Sequence, residues 1–172
     1  MAEVLAALSL GGNVGDVAAA FGYALDRLSA QSGVRLMSQS SVWRTRAWGK
    51  TDQPDFLNMA ALVRTRLSPH ELLALCLSIE KERGRERGER WGPRTLDIDV
   101  LTYGDAIINE PGLAIPHPRL HERAFVLAPL AQIAPELQIG GQSARDHANR
   151  INSDDVKIDA AATAFMRSCL PS

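Results

Sequence analysis

Residues 95–101 read TLDIDVL, an alternation that fixes both a local conformation and the direction of each side chain. Successive side chains of an extended strand point to opposite faces. Leu96, Ile98 and Val100 therefore share one face, and Asp97 and Asp99 share the other, with the carboxylates roughly 6–7 Å apart along the strand. Such a strand must bury one side in a core while presenting paired anions on the other. The competing reading is a solvated strand edge with incidental charges.

The residues upstream favour a site. Arg85, Arg87, Arg90 and Arg94 precede the aspartates. Six of the 19 basic residues fall between Lys81 and Arg94, against three acids, Glu82, Glu86 and Glu89. Side-by-side carboxylates repel unless they share a cation, and paired oxygens suit Mg²⁺. Guanidinium forks suit phosphate, so together these are the components of a phosphoryl-transfer site.

Around this strand the pattern predicts the order β-α-β-β-α-β. A strand over 3–10 meets the turn-rich 11–16. Asp16 caps a helix carrying Ala19, Phe21, Leu25 and Leu28 on one face, which Gly33 ends. A half-buried strand covers 34–43, a loop 44–55, and a second strand 56–67. Ser68, Pro69 and Glu71 mark a helix start with a capping box, and Gly84 stops that helix. This order is the split βαβ, ferredoxin-like arrangement, an α+β fold with an antiparallel sheet and two helices packed on one face. A small strand is expected at 105–109 and a helix around 120–133. The stretch 140–172 is expected to be peripheral, with its last residues frayed or helical. The chain divides into a single domain over 1–158 and a C-terminal tail over 159–172.

With 172 residues, 45% of them hydrophobic, the chain can bury a real core. A net charge of −1 gives no bulk attraction to nucleic acid or to an anionic membrane. Cys76 and Cys169 form neither a ligand pair nor a disulfide framework, and Cys76 falls in an apolar helical stretch. The opening MAEVLAALSLGGN lacks a basic leader and is too short to span a bilayer, so a cytoplasmic protein is expected.

Four blocks then stand in order: LGGNVGD (10–16), SSVWRTRAWGKTDQPDFLN (40–58), GRERGERWGPRTLDIDVL (84–101) and IPHPRLHERAFVLAPL (115–130). Together they resemble the 6-hydroxymethyl-7,8-dihydropterin pyrophosphokinase family of folate biosynthesis, over residues 4–137. The resemblance implies transfer of diphosphate from ATP to a pterin, with two Mg²⁺ ions bridging the phosphates. By position it assigns both metals to Asp97 and Asp99, and transfer-stage charge stabilisation to Arg85 and Arg94. It assigns ATP contacts to Glu80, Arg87, Trp91, Arg94, Val100, His117 and Arg123. Thr45, Trp48, Phe56, Asn58 and Phe125 take the pterin positions, where Phe56 and Phe125 can stack on a flat ring and Asn58 can both donate and accept. Without the resemblance, Phe56 and Phe125 read as plain core. The expected partners are small molecules, with no nucleic acid and no membrane, and the chain is expected to be a monomer. Gly12, Arg46, Ala47, Leu77 and Gly112 depart from the family pattern at individual contacts.

Other signals weigh less. GGNVGD lacks the Gly-Lys-Ser/Thr ending of a phosphate loop and reads as structural. His70 and His147 read as solvated surface, and His121 with His117 lacks a third ligand for zinc. Two rival functions keep the fold: a nucleotidyl or phosphodiester enzyme using the same aspartates, and a non-catalytic ferredoxin-like binding domain. The first would want a basic face for a polynucleotide, and the second has no need of paired aspartates beside arginines.

Overall fold

Strand β1 (Val4–Gly12) buries Ala6, Leu8 and Leu10 on one side and Ala7 on the other, so it lies between two apolar layers. The computed structural model describes residues 2–46, 53–84, 95–151 and 153–171. After β1 come α1 (Val17–Ala30), β2 (Val34–Gln39), β3 (Trp43–Thr45), β4 (Phe56–Thr65), α2 (Pro69–Glu82) and β5 (Asp97–Tyr103). The chain continues through β6 (Ile108–Glu110), β7 (Leu113–Ile115), a 3₁₀ turn (Leu120–Glu122) and α3 (Ala124–Ile133). It ends with β8 (Gln138–Ile139), β9 (Gln142–Ser143), α4 (Ala144–Asn149), β10 (Lys157–Ile158) and α5 (Ala160–Ser168).

The main sheet is antiparallel throughout. β4 and β5 flank β1, β2 and β3 share the far side of β4, and β10 lies outside β3. This is the ferredoxin-like order expected from the sequence. One face packs on α1 and α2 through Leu8, Leu10, Phe21, Leu25, Met59, Leu72, Ile79, Ile98 and Val100. The other packs on α3 through Ala7, Ala60, Leu62, Leu101, Val126, Leu127 and Leu130.

Local chemistry sets the helix starts. The Asp16 carboxylate accepts from the Ala19 N–H at 3.1 Å, and Ser68 Oγ accepts from the Glu71 N–H at 3.2 Å behind Pro69. At their far ends the two helices are tied together. Tyr23 Oη donates to Glu82 Oε1 at 2.5 Å, while Arg27 Nε and Nη2 donate to the two carboxylate oxygens at 2.7 and 3.0 Å. The Arg83 guanidinium lies 5.2 Å from the centre of the Tyr23 ring.

The Arg27 hydrogen bonds, then that from Tyr23, hold the Glu82 carboxyl down at about 2. Its unfolded value is 4.5, so the unfolded chain takes up the proton first on acidification. The clamp therefore contributes fully above pH 4.5 and is lost as pH falls through about 2. Glu82→Gln should be less stable than the parent at neutral pH, with the two urea-unfolding curves converging towards pH 2. A gap that stays constant with pH would contradict this clamp.

Several expected boundaries move. The strand predicted over 34–43 is two strands, β2 and β3, broken at residues 40–42. Part of the predicted 44–55 loop is the end of β3. The single strand predicted at 105–109 is the hairpin β6–β7, and the helix predicted from 120 starts as a 3₁₀ turn before α3 begins at Ala124. His147 is half-buried rather than a solvated surface residue, with Nε2 2.8 Å from the Ile139 carbonyl. The last segment is not peripheral. β10 extends the sheet, and α5 packs on α1 with Met166 fully buried.

Candidate functional site

The alternation of β5 is realised as expected. Ile98 and Val100 enter the α1–α2 core, while Asp97 and Asp99 are half-buried and point to the α3 side. Register carries that side across the sheet. Asp97 stands opposite Gly11, Gly11 opposite Asn58, and Asn58 opposite Trp43. One row along, Asp99 stands opposite Ser9 and Ser9 opposite Ala60. Phe56 pairs with Thr45 beyond Asn58. Directly opposed residues of an antiparallel pair share a face, so Asp97, Asp99, Asn58, Phe56 and Thr45 are brought together on one surface.

Gly11, read from the sequence only as part of a turn, is a position of close approach between β1 and the Asn58 side chain. A Cβ built on it would lie 2.8 Å from Asn58 Oδ1, closer than two such atoms can approach. Glycine inside a strand often marks a close approach, and the Gly-Gly pair at the end of β1 was the available signal. Gly11→Ala should displace the Asn58 amide and raise the KM for the ligand it holds by about tenfold, a shift of roughly 1.4 kcal/mol. Steady-state kinetics check this, and an unchanged KM would show that the gap above Gly11 has no role.

Asn58 is 5% exposed and Thr45 4% exposed, yet among the described residues Asn58 Nδ2 and Thr45 Oγ1 have no hydrogen-bond partner. A buried polar atom left unpaired costs about 1–3 kcal/mol. Two of them share a surface with Phe56, and half-buried Phe125 packs against the α3-side core that includes Ala60, so this side carries groups suited to a flat polar molecule. Asn13, just past β1, ties down the chain that leads into Phe56, with Nδ2 donating to Gln53 Oε1 and to the Pro54 carbonyl, both at 3.1 Å.

The cationic side comes from the chain between β7 and α3. The His117 N–H donates to the Leu101 carbonyl at 2.9 Å, which fixes His117 beside β5. His117 Nδ1 accepts from the Arg119 N–H at 3.2 Å, so the neutral ring carries its proton on Nε2. Burial, together with the charges of Arg123 and Arg119, pushes the imidazole below its ordinary 6.5, against the opposing pull of Asp99. It is therefore a neutral Nε2–H donor at pH 7. Arg123 occupies the N-cap position of α3, with its guanidinium 5.7 Å from the Phe125 ring centre. Burial and the Arg119 charge pull its pKa below the ordinary guanidinium range, against the opposing pull of Asp99, Glu122 and Asp97.

Two residues expected at the ATP site are buried. The Val100 side chain is buried in the α1–α2 core, so the structure does not bring it to the aspartate face. Glu80 is buried on α2, four residues beyond Cys76. Burial, with Glu80 and Asp99 adding to it, pushes the Cys76 thiol up to about 12 and leaves it an inert core residue. Arg85, Arg87, Trp91, Arg94 and Trp48 lie outside the described residues.

The model of one protein family, 7,8-dihydro-6-hydroxymethylpterin-pyrophosphokinase, matches residues 7–135. A relative from Methylorubrum extorquens, a 2-amino-4-hydroxy-6-hydroxymethyldihydropteridine pyrophosphokinase, is 47% identical over 150 residues, 87% of this chain and 95% of that protein. A mitochondrial folate synthesis bifunctional protein from Pisum sativum is 44% identical over 126 residues, 73% of this chain but 24% of that longer protein. Among solved structures, an HPPK-DHPS chain in complex with substrates superposes with a TM-score of 0.71 at 14% identity. That superposition covers 92% of this chain, which spans 47% of the solved one.

Proposed function

The chain belongs to the 7,8-dihydro-6-hydroxymethylpterin-pyrophosphokinase family and is a pyrophosphokinase of folate biosynthesis. From that premise we propose that it transfers the β,γ-diphosphate of ATP to the hydroxymethyl oxygen of 6-hydroxymethyl-7,8-dihydropterin, releasing AMP. The observation that carries this reading is the surface on which two half-buried aspartates stand one glycine away from a buried, unpartnered Asn58 amide.

The residues fit a hard cation. Asp97 and Asp99 offer carboxylate oxygens on one strand face, and Asp97 Oδ1 is shielded from solvent. Among the described residues no group of three His, Cys, Asp or Glu side chains is gathered as a metal cage. Mg²⁺ typically takes one or two carboxylates and completes its shell with water and substrate phosphates, which is the arrangement proposed here. When bound, Mg²⁺ would neutralise the triphosphate and make its β-phosphorus more electrophilic.

The protein's own groups do the rest. Asn58 Nδ2 and Thr45 Oγ1 hold the polar edge of the pterin, and Phe56 and Phe125 take its faces. This places the hydroxymethyl oxygen towards the aspartates for in-line attack. The hydroxymethyl oxygen forms a bond to the β-phosphorus and gives up its proton to solvent, while the bond from that phosphorus to the α–β bridging oxygen breaks and AMP leaves with that oxygen. The neutral His117 donates from Nε2 and the Arg123 guanidinium adds fixed positive charge, both directed at phosphate oxygens. Arg85 and Arg94 are proposed to meet charge that develops during transfer, and Arg87 and Trp91 to hold ATP. Pterin-dependent ATP consumption, measured with EDTA and then with Mg²⁺ restored, tests this reading. Turnover should vanish and return. Turnover indifferent to pterin or to the metal would refute it.

A further inference from the structure

Three consecutive residues on the acceptor side of the sheet, Val42, Trp43 and Arg44, are gripped by the C-terminal segment. β3 has only three residues, and a strand that short at a sheet edge frays readily unless something covers it. β10 pairs with it, Lys157 opposite Arg44 and Ile158 opposite Trp43. The Asp159 N–H donates to the Val42 carbonyl, and the Val42 N–H donates to Thr163 Oγ1, each at 2.8 Å. The Thr163 hydroxyl in turn donates to the Asp159 carbonyl at 2.8 Å, inside a site only 6% exposed.

Asp159 divides its carboxylate between two tasks. Oδ1 accepts from the Ala162 N–H at 2.9 Å and so caps α5. Oδ2 accepts from Arg44 Nε at 3.0 Å and Nη2 at 2.5 Å. The helix that bears Thr163 is itself fixed. Met166 is fully buried in the α1–α2 layer, and a Cβ on Gly22 of α1 would stand 2.5 Å from Cys169 Cβ. The grip on β3 thus runs back to the main core. The next residue along β3 is Thr45, whose buried Oγ1 faces the candidate pocket without a partner.

We propose that β10 and α5 are a positioning element of the acceptor pocket, with Thr163 and Asp159 holding β3 so that Thr45 stays in place for the pterin. This rests on the pterin reading above and adds to it residues far along the chain. If β3 is released it occupies its binding-competent position for only a fraction of the time, and the apparent pterin affinity falls by that fraction. Among the described residues α5 packs mainly on α1 and β10 on β3, whereas β5, on the proposed ATP side, packs on β1, α2 and β7.

The test compares Thr163→Val with Thr163→Ser, with pterin and ATP varied separately and melting recorded for each protein. Thr163→Val should raise the pterin KM by about tenfold while the ATP KM stays within about twofold, and Thr163→Ser should restore the parent value. Earlier melting with an unchanged pterin KM, or equal rises in both KM values, would overturn the proposal. Should Thr163→Val fail to fold, Asp159→Asn keeps the cap acceptor and gives up the charge on Arg44. It should move the same KM in the same direction by a smaller factor, and no movement would also overturn the proposal. Parent protein inert towards pterin would instead overturn the functional reading itself, a failure visible before any substitution is made.

Discussion

Asp97→Asn is expected to lower kcat by about 10³-fold or more while leaving the melting temperature unchanged or slightly raised. The amide has the shape of the carboxylate and keeps the alternation of β5, so Ile98 and Val100 still enter the core. On the proposed reading, what is lost is one of two anions that would face the cation and help to offset the triphosphate charge. The substitution keeps the shape of the side chain and the packing of the strand, so the fold is expected to hold. Asp99→Asn should behave alike, with the addition that His117 and Arg123 lose the carboxylate that raises both their pKa values. Kinetics across a Mg²⁺ titration, with melting curves alongside, check this. A variant that keeps more than a tenth of the parent kcat would remove the aspartates from the chemistry.

The second large effect is expected at Asn58. Asn58→Val should reduce kcat/KM for the pterin by about 10³-fold, because a site built to hydrogen-bond its substrate discriminates strongly once the bond is gone. Fold stability should move the other way, up by about 1 kcal/mol, since a buried amide nitrogen without a partner is replaced by an apolar group suited to a strand. Opposite signs for activity and stability distinguish a binding residue from a core residue. A loss of both would mean that Asn58 is part of the packing.

The elements that sequence patterning read well are those in which local chemistry and tertiary burial agree. Alternation in β5 assigns its core residues and its aspartates to opposite faces because the strand buries one face and leaves the other half-buried. Asp16 and Ser68 mark helix starts because a side-chain oxygen and a backbone N–H three residues on suffice to define them. In the C-terminal region the helical end was among the expectations, but its packing and the strand before it were not legible, for the opposite reason. β10 has two residues and gains its conformation from pairing with β3 more than a hundred positions earlier, and α5 is fixed by α1. The break between β2 and β3 has the same origin. Ser41 and Trp43 are drawn to α3 by Gln132, whose Oε1 accepts from the Ser41 N–H and Trp43 Nε1–H at 3.0 Å each. Gly11 was hidden because its role lies in the atom it lacks, which only the register with Asn58 shows. The side-chain types at 45, 56, 58 and 125 were legible only through the resemblance to a family, since a buried phenylalanine reads equally well as core.

The central claim is that a diphosphate moves rather than a single phosphoryl group, and the nucleotide product decides it. Incubation with MgATP and 6-hydroxymethyl-7,8-dihydropterin, followed by separation of the nucleotides, should give AMP in one-to-one ratio with pterin diphosphate. ADP formed in step with a pterin monophosphate would contradict the account.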